Sequence, residues 1–275
     1  SIYGCTGTIL DSVYVYDLPV PVITVNSKCE YDPVTFTSIT AIGDTATYQY
    51  SWVFGDGNTS SLSDPVHQYA TSGIYNVSLT MTNPNGCVAV ASATVDLYPA
   101  PDADFDVADA CAESGVEFTN QSTISSGTIA GYIWNFGDGT PGSTLVNPVH
   151  VFDSAGVYTV TLIAISDNGC LDTTVQQITI FPLPVSNFSY SQAAGCGPLT
   201  VSFTDSSFIT SGSIVAWSWD FGNGQTSNVQ NPSTVYSASG TYGVTLTVTS
   251  NMGCTQTFTQ PNIITIYPGP TANFI

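Results

Sequence analysis

Apolar and polar residues alternate along short segments of this chain with a period of two. Tyr50, Trp52 and Phe54 form one such segment, in which every second side chain is aromatic. The same spacing recurs at Tyr132/Trp134/Phe136, Trp217/Trp219/Phe221, Val34/Phe36, Val116/Phe118 and Val201/Phe203. This period places alternate side chains on one face of a β-strand, and the Gly, Pro, Asn and Asp residues between segments are typical of turns. We therefore predict an all-β chain of half-buried antiparallel strands.

One strand and the turn after it occur three times, about 80 residues apart, which is typical of tandem copies of one domain. The copies are Trp52–Gly57 (WVFGDG), Trp134–Gly139 (WNFGDG) and Trp219–Gly224 (WDFGNG). The same landmarks follow each copy in the same order: Pro65–Tyr69, Pro148–Phe152 and Pro232–Tyr236; then Gly73–Leu79, Gly156–Leu162 and Gly240–Leu246; then Gly-Cys at Cys87, Cys170 and Cys254; then Pro-x-Pro at Pro99, Pro182 and Pro268. The repeat unit is therefore far longer than the phrase that identifies it.

The repeat boundaries follow from these landmarks. We predict complete repeats at 20–101, 102–184 and 185–270, the end of a preceding repeat at 1–19, and the start of a following one at 271–275. On this prediction the sequence is a segment of a longer array.

Each repeat has the length and strand number of a two-sheet β-sandwich, with about seven short strands. Trp52, Trp134 and Trp219 are predicted to anchor the three cores, since each lies on the apolar face of its strand. The Gly-Asp-Gly step after each is predicted to be a turn, because Gly adopts positive φ and Asp or Asn can bond its own backbone. Asn223 replaces Asp in the third copy.

The phrase W-x-F-G-D-G, the P-x-H-x-Y stretch and the G-x-Y-x-V-x-L strand together resemble the polycystic kidney disease (PKD) domain. The resemblance implies immunoglobulin-like β-sandwiches arranged head to tail. His67 and His150 match the family's histidine and are expected to be packing residues, since Thr234 replaces them in the third repeat. The Gly-Cys and Pro-x-Pro features are similar to tandem PKD units of giant surface proteins of Bacteroidota, including gliding adhesins.

The excess of acidic residues restricts the classes of molecule that this chain is expected to bind. Lys and Arg total 1 against 20 Asp and Glu, a formal net charge of −19. Such a chain is not expected to bind nucleic acid or anionic membrane surfaces. No apolar stretch is long enough for a membrane-spanning helix, so no membrane insertion of this segment is expected.

The seven cysteines fall at two repeating positions. Cys29, Cys111 and Cys196 precede the second strand of each repeat, whereas Cys5, Cys87, Cys170 and Cys254 follow a Gly near the end of a repeat. This regularity indicates disulfides and an oxidising, extracellular compartment. A zinc site is the weaker alternative, because Cys-x-x-Cys is absent and His is scarce.

Two pairings of these cysteines remain open. Equal spacing within a repeat suggests Cys29–Cys87, Cys111–Cys170 and Cys196–Cys254. Immunoglobulin-like topology, however, puts the two positions at opposite ends of one sandwich, about 30 Å apart, whereas bridged Cα atoms lie within about 7 Å. Head-to-tail stacking instead favours Cys29–Cys170 and Cys111–Cys254, which leaves Cys5, Cys87 and Cys196 to pair with repeats beyond this segment.

The sequence contains no catalytic constellation, and we predict that the chain is not an enzyme. Calcium is the one cofactor considered, since some PKD domains bind it near domain junctions. The candidate ligands are Asp102, Asp104, Asp106 and Asp109, and the third repeat lacks equivalents.

We therefore expect a structural or adhesive stalk in a secreted cell-surface protein. Its partners would be neighbouring repeats of the same chain, with surface glycans or other surface proteins as further candidates. The alternative is an accessory or carbohydrate-binding region of a secreted hydrolase.

Overall fold

The computed structural model describes residues 18–26, 29–39 and 48–270. All regular secondary structure in these ranges is β-strand, which confirms the predicted fold class. Most of the predicted partial repeat at 1–19, and all of that at 271–275, lie outside the described residues, as do Cys5 and Lys28.

The strands follow the landmarks of the sequence. In the first repeat they are β1 (Val22–Val25), β2 (Pro33–Ile39), β3 (Gln49–Val53), β4 (Thr59–Ser60), β5 (Val66–Gln68), β6 (Gly73–Thr82) and β7 (Val88–Leu97). In the second they are β8 (Pro101–Asp102), β9 (Phe105–Asp106), β10 (Ala110–Cys111), β11 (Gly115–Glu117), β12 (Thr119–Asn120), β13 (Thr123–Ile124), β14 (Ile129–Asn135), β15 (Val149–Val151), β16 (Gly156–Ser166) and β17 (Leu171–Phe181). In the third they are β18 (Phe188–Tyr190), β19 (Ala194–Cys196), β20 (Leu199–Asp205), β21 (Ile214–Asp220), β22 (Thr226–Ser227), β23 (Ser233–Tyr236), β24 (Gly240–Ser250) and β25 (Thr255–Tyr267).

Each repeat has one sheet built on its long final hairpin. The sheet orders are β4-β3-β6-β7, β10-β17-β16-β14 and β19-β25-β24-β21-β22. The opposing layer is β1-β2-β5 in the first repeat and β18-β20-β23 in the third. In the second repeat it consists of the short ladders β11-β15 and β9-β12, and β8-β13 is a separate two-stranded ladder. Two apolar faces are thereby formed in each repeat, as a sandwich requires.

The aromatic residues of the alternating segments fill three separate cores. Trp52, Trp134 and Trp219 are at most 1% exposed. Each packs on a phenylalanine of the opposing layer with ring centroids 5.6 Å apart, at Phe36, Phe118 and Phe203 respectively. The three repeats therefore have the same core arrangement, and none of these tryptophans presents a ring to solvent.

The chain divides into two compact units, and the division passes through the second repeat. Among the described residues, one unit comprises those up to Ala103 together with Ser122–Gly131 and Ile163–Thr173, and the other comprises the remainder. The first unit thus includes the first core together with one end of the second repeat. The second unit includes the core of the second repeat and the whole third repeat.

Candidate functional site

Within the first unit, a disulfide joins the first repeat to the second. Cys29 is bonded to Cys170, with Cα atoms 5.7 Å apart. Cys29 forms an isolated parallel bridge with Tyr98, directly after β7, so it lies where the last strand of its repeat ends. Cys170 lies in the turn that enters β17, the last strand of the next repeat. We call this region the first junction.

Two hydrogen bonds between Ser166 and Cys170 hold the turn that carries Cys170. The Ser166 N–H donates to the Cys170 carbonyl at 2.8 Å, and the Cys170 N–H donates to Ser166 Oγ at 3.0 Å. Gly169, with φ +80°, supplies the left-handed residue that the turn requires. The Gly-Cys sequence and the hydrogen bonds to Ser166 together determine where the turn places the Cys170 sulfur.

A buried carboxylate accompanies this disulfide. Glu30 is 8% exposed, and its carboxylate accepts hydrogen bonds from the N–H groups of Ser72 at 2.6 Å and Ala100 at 3.0 Å. Its own N–H donates to the Tyr98 carbonyl at 2.9 Å. A buried carboxylate is tolerated only when it is hydrogen-bonded in this way. Glu30 thus fixes the segment that leaves the first repeat.

A second carboxylate acts on the same segment from the other side of the first junction. Asp172 Oδ2 accepts a hydrogen bond from the Ala103 N–H at 2.7 Å. Sequence reasoning missed Glu30 and Asp172. The sequence feature that could have identified them is their position in a chain with few charged residues. Glu30 directly follows Cys29, and Asp172 lies two residues after Cys170.

Within the second unit, a matching disulfide joins the second repeat to the third. Cys111 is bonded to Cys254, also with Cα atoms 5.7 Å apart. Cys111 pairs in parallel with Phe181 at the end of β17, and the Cys254 N–H donates to Ser250 Oγ at 3.1 Å. We call this region the second junction. Both bridges connect consecutive repeats.

The pairing within one repeat is not present in the structure. Cys87 and Cys196 are free thiols, and Cys111, Cys170, Cys29 and Cys254 have the partners given above. The geometry explains this: Cys87 precedes β7 and Cys29 lies beside its far end, so the ten residues of β7 separate them by about 33 Å.

The two histidines pack beside the Gly-Asp-Gly turns. The His150 ring stacks on Phe136 at 4.0 Å between centroids, and its Nε2 lies 2.6 Å from Asp138 Oδ2. His67 repeats this arrangement with Phe54 at 4.2 Å and with Asp56 at 2.7 Å. These contacts fasten each turn to the edge of its own sandwich.

Asp56 and Asp138 have lowered pKa values. Burial acts to raise the pKa of Asp138, but hydrogen bonds from Thr140 and His150 outweigh it and hold that pKa below its usual range. Burial opposes the shift at Asp56 in the same way, and hydrogen bonds from Asn58 and His67 lower its pKa. In the third repeat, Asn223 Nδ2 lies 3.4 Å from Thr234 Oγ1, an uncharged replacement for the pair.

Of the four aspartates predicted as calcium ligands, Asp102 and Asp106 end the short strands β8 and β9, and Asp104 and Asp109 lie in the connections that follow those strands. Asp106 accepts a hydrogen bond from Gln121 at 3.0 Å, Asp109 from the Thr179 N–H at 2.7 Å, and Asp104 from the Phe105 N–H at 2.9 Å, while Asp102 is exposed. Among the described residues, no group of three or more His, Cys, Asp or Glu is placed to hold a metal ion. The structure therefore does not bring these carboxylates together as a ligand set.

The described part of the chain contains no helix with the length and hydrophobicity that crossing a membrane requires.

Comparison with known proteins identifies the repeats. A family model described as "PKD domain" matches residues 17–97, 98–180 and 183–266. A microbial collagenase of Vibrio alginolyticus is 40% identical over 79 residues, covering 28% of this chain and 10% of the relative. The pre-pro-metalloprotease PrtV of Vibrio cholerae is 41% identical over 83 residues, covering 28% of this chain and 9% of the relative. The match thus spans about a tenth of the length of these relatives.

A solved structure, the PKD1 domain of Vibrio anguillarum Epp, shares 38% identity and covers 31% of this chain and 96% of its own, with a TM-score of 0.28.

Proposed function

The chain belongs to the PKD domain family, and on that premise we propose that it is a stalk segment of a secreted, surface-anchored protein. The tandem repeats would space a terminal module from the cell or transmit force to it. The setting would be a giant surface protein or gliding-type adhesin. Neighbouring repeats are then the principal partners, and surface glycans or other surface proteins would contact the array from outside.

The observation that supports this proposal is the pair of disulfides between consecutive repeats. Cys29 and Cys170 are separated by 141 positions in sequence and Cys111 and Cys254 by 143, and the two loops overlap within the second repeat. A pulling force would cross from Cys29 to Cys170, return through the second repeat to Cys111, and cross again to Cys254. Load would therefore pass between repeats through the disulfides as well as through the peptide backbone.

The surface composition also supports an extracellular structural role. The net charge is −19, and the chain contains only 1 Lys or Arg. Like charges along a tandem array repel and disfavour association with acidic polymers such as nucleic acid. Disulfides persist in oxidising compartments outside the cell, which agrees with secretion. The buried positions of Trp52, Trp134 and Trp219 leave them without a role in surface binding.

Single-molecule stretching tests the force-bearing role. The chain would be pulled from its two termini, first oxidised and then in a thiol reductant. A residue extends by at most about 3.6 Å, and the two bridges remove most residues from the path under load. We expect complete unfolding of the oxidised chain to release less than half of the extension released by the reduced chain. Equal extensions would overturn the proposal.

An accessory role in a secreted hydrolase is the second candidate, because the matched relatives are a collagenase and a metalloprotease. Such a region would bind the insoluble substrate of its enzyme. Co-sedimentation with insoluble collagen distinguishes the two functions. The stalk predicts that the chain stays in the supernatant, whereas saturable retention on collagen would favour the accessory role.

A further inference from the structure

The buried tryptophan of the third repeat lacks a hydrogen bond that the other two repeats form. Trp52 Nε1 donates to the Leu62 carbonyl at 3.0 Å. Trp134 Nε1 donates to the Leu145 carbonyl at 2.9 Å. Trp219 is as deeply buried as these two, but its Nε1 has no hydrogen-bond partner among the described residues. A buried N–H without an acceptor is rare and costs free energy, so a specific feature of the third repeat must account for it.

The loop that would supply the acceptor begins in the same way as in the first repeat. Val229 follows Trp219 at the spacing that separates Leu62 from Trp52. The Val229 N–H donates to Ser227 Oγ at 3.2 Å, and the Leu62 N–H makes the corresponding bond in the first repeat. The two loops therefore match as far as Val229, and the difference arises in the residues that follow it.

Gln230, directly after Val229, ties this loop to Asp205. Its Nε2 donates to Asp205 Oδ2 at 3.1 Å. Ser63 and Val146 stand at the same position in the first two repeats. Ser63 bonds its own neighbour in sequence, and the side chain of Val146 has no donor. Among the described loops, only that of the third repeat therefore has such a tether.

The surroundings of Asp205 are also particular to the third repeat. Its Oδ2 accepts a hydrogen bond from Trp217 Nε1 at 2.7 Å, and its Oδ1 accepts one from the Ser207 N–H at 2.9 Å. The first two repeats have other residues at the positions of Asp205 and Trp217, namely Ser38 and Tyr50, and Asn120 and Tyr132. Hydrogen bonds to a carboxylate are stronger than those between neutral groups, so the bond from Gln230 can hold the loop despite the unpaired donor of the core.

We propose that residues 228–230 form a loop with two positions, and that the Gln230–Asp205 hydrogen bond is the latch that selects between them. In the latched position, which the structure shows, the Val229 carbonyl does not accept from Trp219. In the released position it accepts the Trp219 Nε1–H, as its counterparts do in the other repeats. Release exchanges one hydrogen bond for another of similar magnitude, so the sandwich need not unfold. The proposal concerns the third repeat alone and is independent of the stalk role.

The latch would change the surface of the third repeat. Leu62, Leu145 and Val229 all present exposed apolar side chains at the tips of their loops. In the latched position the backbone of Val229 is placed differently from that of the other two, as its unused carbonyl shows. Release would therefore give the third repeat the same exposed apolar loop tip as the first two.

The indole N–H resonances in ¹H–¹⁵N NMR spectra test the latch. The chain contains 4 Trp, so each indole signal can be followed separately. Hydrogen bonding moves an indole proton downfield, and we expect the Trp219 proton of the wild type to lie upfield of those of Trp52 and Trp134. Gln230→Val, which copies Val146 of the second repeat, should move the Trp219 proton downfield by most of that difference.

Gln230→Glu is the second variant, because it places a like charge against Asp205 and should release the loop with the side-chain length unchanged. It should produce the same downfield shift. Gln177→Val is the control, since Gln177 is an exposed glutamine on β17, and it should leave the Trp219 signal in place.

Unmoved Trp52 and Trp134 signals would show that each variant is folded. A Trp219 proton that keeps its wild-type shift in either folded variant would contradict the latch. A wild-type Trp219 proton as far downfield as those of Trp52 and Trp134 would contradict it without any substitution, because it would show that the donor is already paired.

Discussion

The two junctions contain the same covalent bond and different polar contacts. At both, the residue after the first cysteine donates its N–H to the end of the last strand, Glu30 to Tyr98 and Ala112 to Phe181, each at 2.9 Å. At the first junction the Glu30 carboxylate also accepts two backbone hydrogen bonds. Ala112, at the same place in the second junction, has no side-chain acceptor.

The comparison separates the features that both junctions share from those that only the first junction has. The disulfide, the parallel pairing of the first cysteine and the Gly-Cys turn recur at both, and they are sufficient to join two repeats. The polar contacts of Glu30 and Asp172 are local additions at the first junction. Gln256 replaces Asp172 in the second, two residues after Cys254.

Removal of either bridge should have the largest effect and should affect both junctions alike. The paired variants are Cys29→Ala with Cys170→Ala, and Cys111→Ala with Cys254→Ala. In the chain-entropy model a loop of this length contributes about 5 kcal/mol. We expect the two losses, measured by urea unfolding, to agree within about 1 kcal/mol. A large loss of stability on removal of one bridge and none on removal of the other would contradict an equal role of the two bridges.

Removal of the Glu30 carboxylate should affect the first junction alone. Glu30→Ala leaves the N–H groups of Ser72 and Ala100 without their acceptor, a loss of about 1–3 kcal/mol. Glu117→Ala is the control, since Glu117 is an exposed glutamate on β11 and such substitutions change stability by less than about 0.5 kcal/mol. Hydrogen exchange at the Ala100 amide should accelerate in Glu30→Ala. Equal effects of the two variants would contradict the assigned role.

Acid should weaken the contact between Asp138 and its hydrogen-bond partners, with the smallest effect of the series. A carboxyl whose pKa is lowered on folding stabilises the folded state above its unfolded pKa of about 3.9, and this stabilisation is lost as pH falls toward the lowered value. Asp138→Asn, which copies Asn223 of the third repeat, should therefore weaken the fall in stability below about pH 4. At neutral pH it should lower stability by about 1 kcal/mol.

Urea unfolding of wild type and Asp138→Asn across this pH range measures the difference. An unchanged acid dependence in the variant would show that the Asp138–His150 pair does not carry it. Disulfide content should stay constant throughout.

Much of the fold follows from the sequence, because the period of two and the repeated landmarks fix which residues face each core. The aromatic trios around Trp52, Trp134 and Trp219 were sufficient to predict the large side chains at the centre of each core. The role of Glu30 could not be predicted, because it depends on which backbone N–H groups remain unpaired once β7 has ended. The division of the second repeat between two compact units likewise depends on contacts that no single repeat encodes.

Peptide mapping under non-reducing conditions tests the junction bridges most directly. With one basic residue the chain offers trypsin almost no site, so digestion with pepsin at acid pH, which also suppresses thiol exchange, is appropriate. The predicted result is a Cys29 peptide linked to a Cys170 peptide, and a Cys111 peptide linked to a Cys254 peptide. Recovery of Cys29 linked to Cys87, or of Cys196 linked to Cys254, would contradict covalent joining of consecutive repeats.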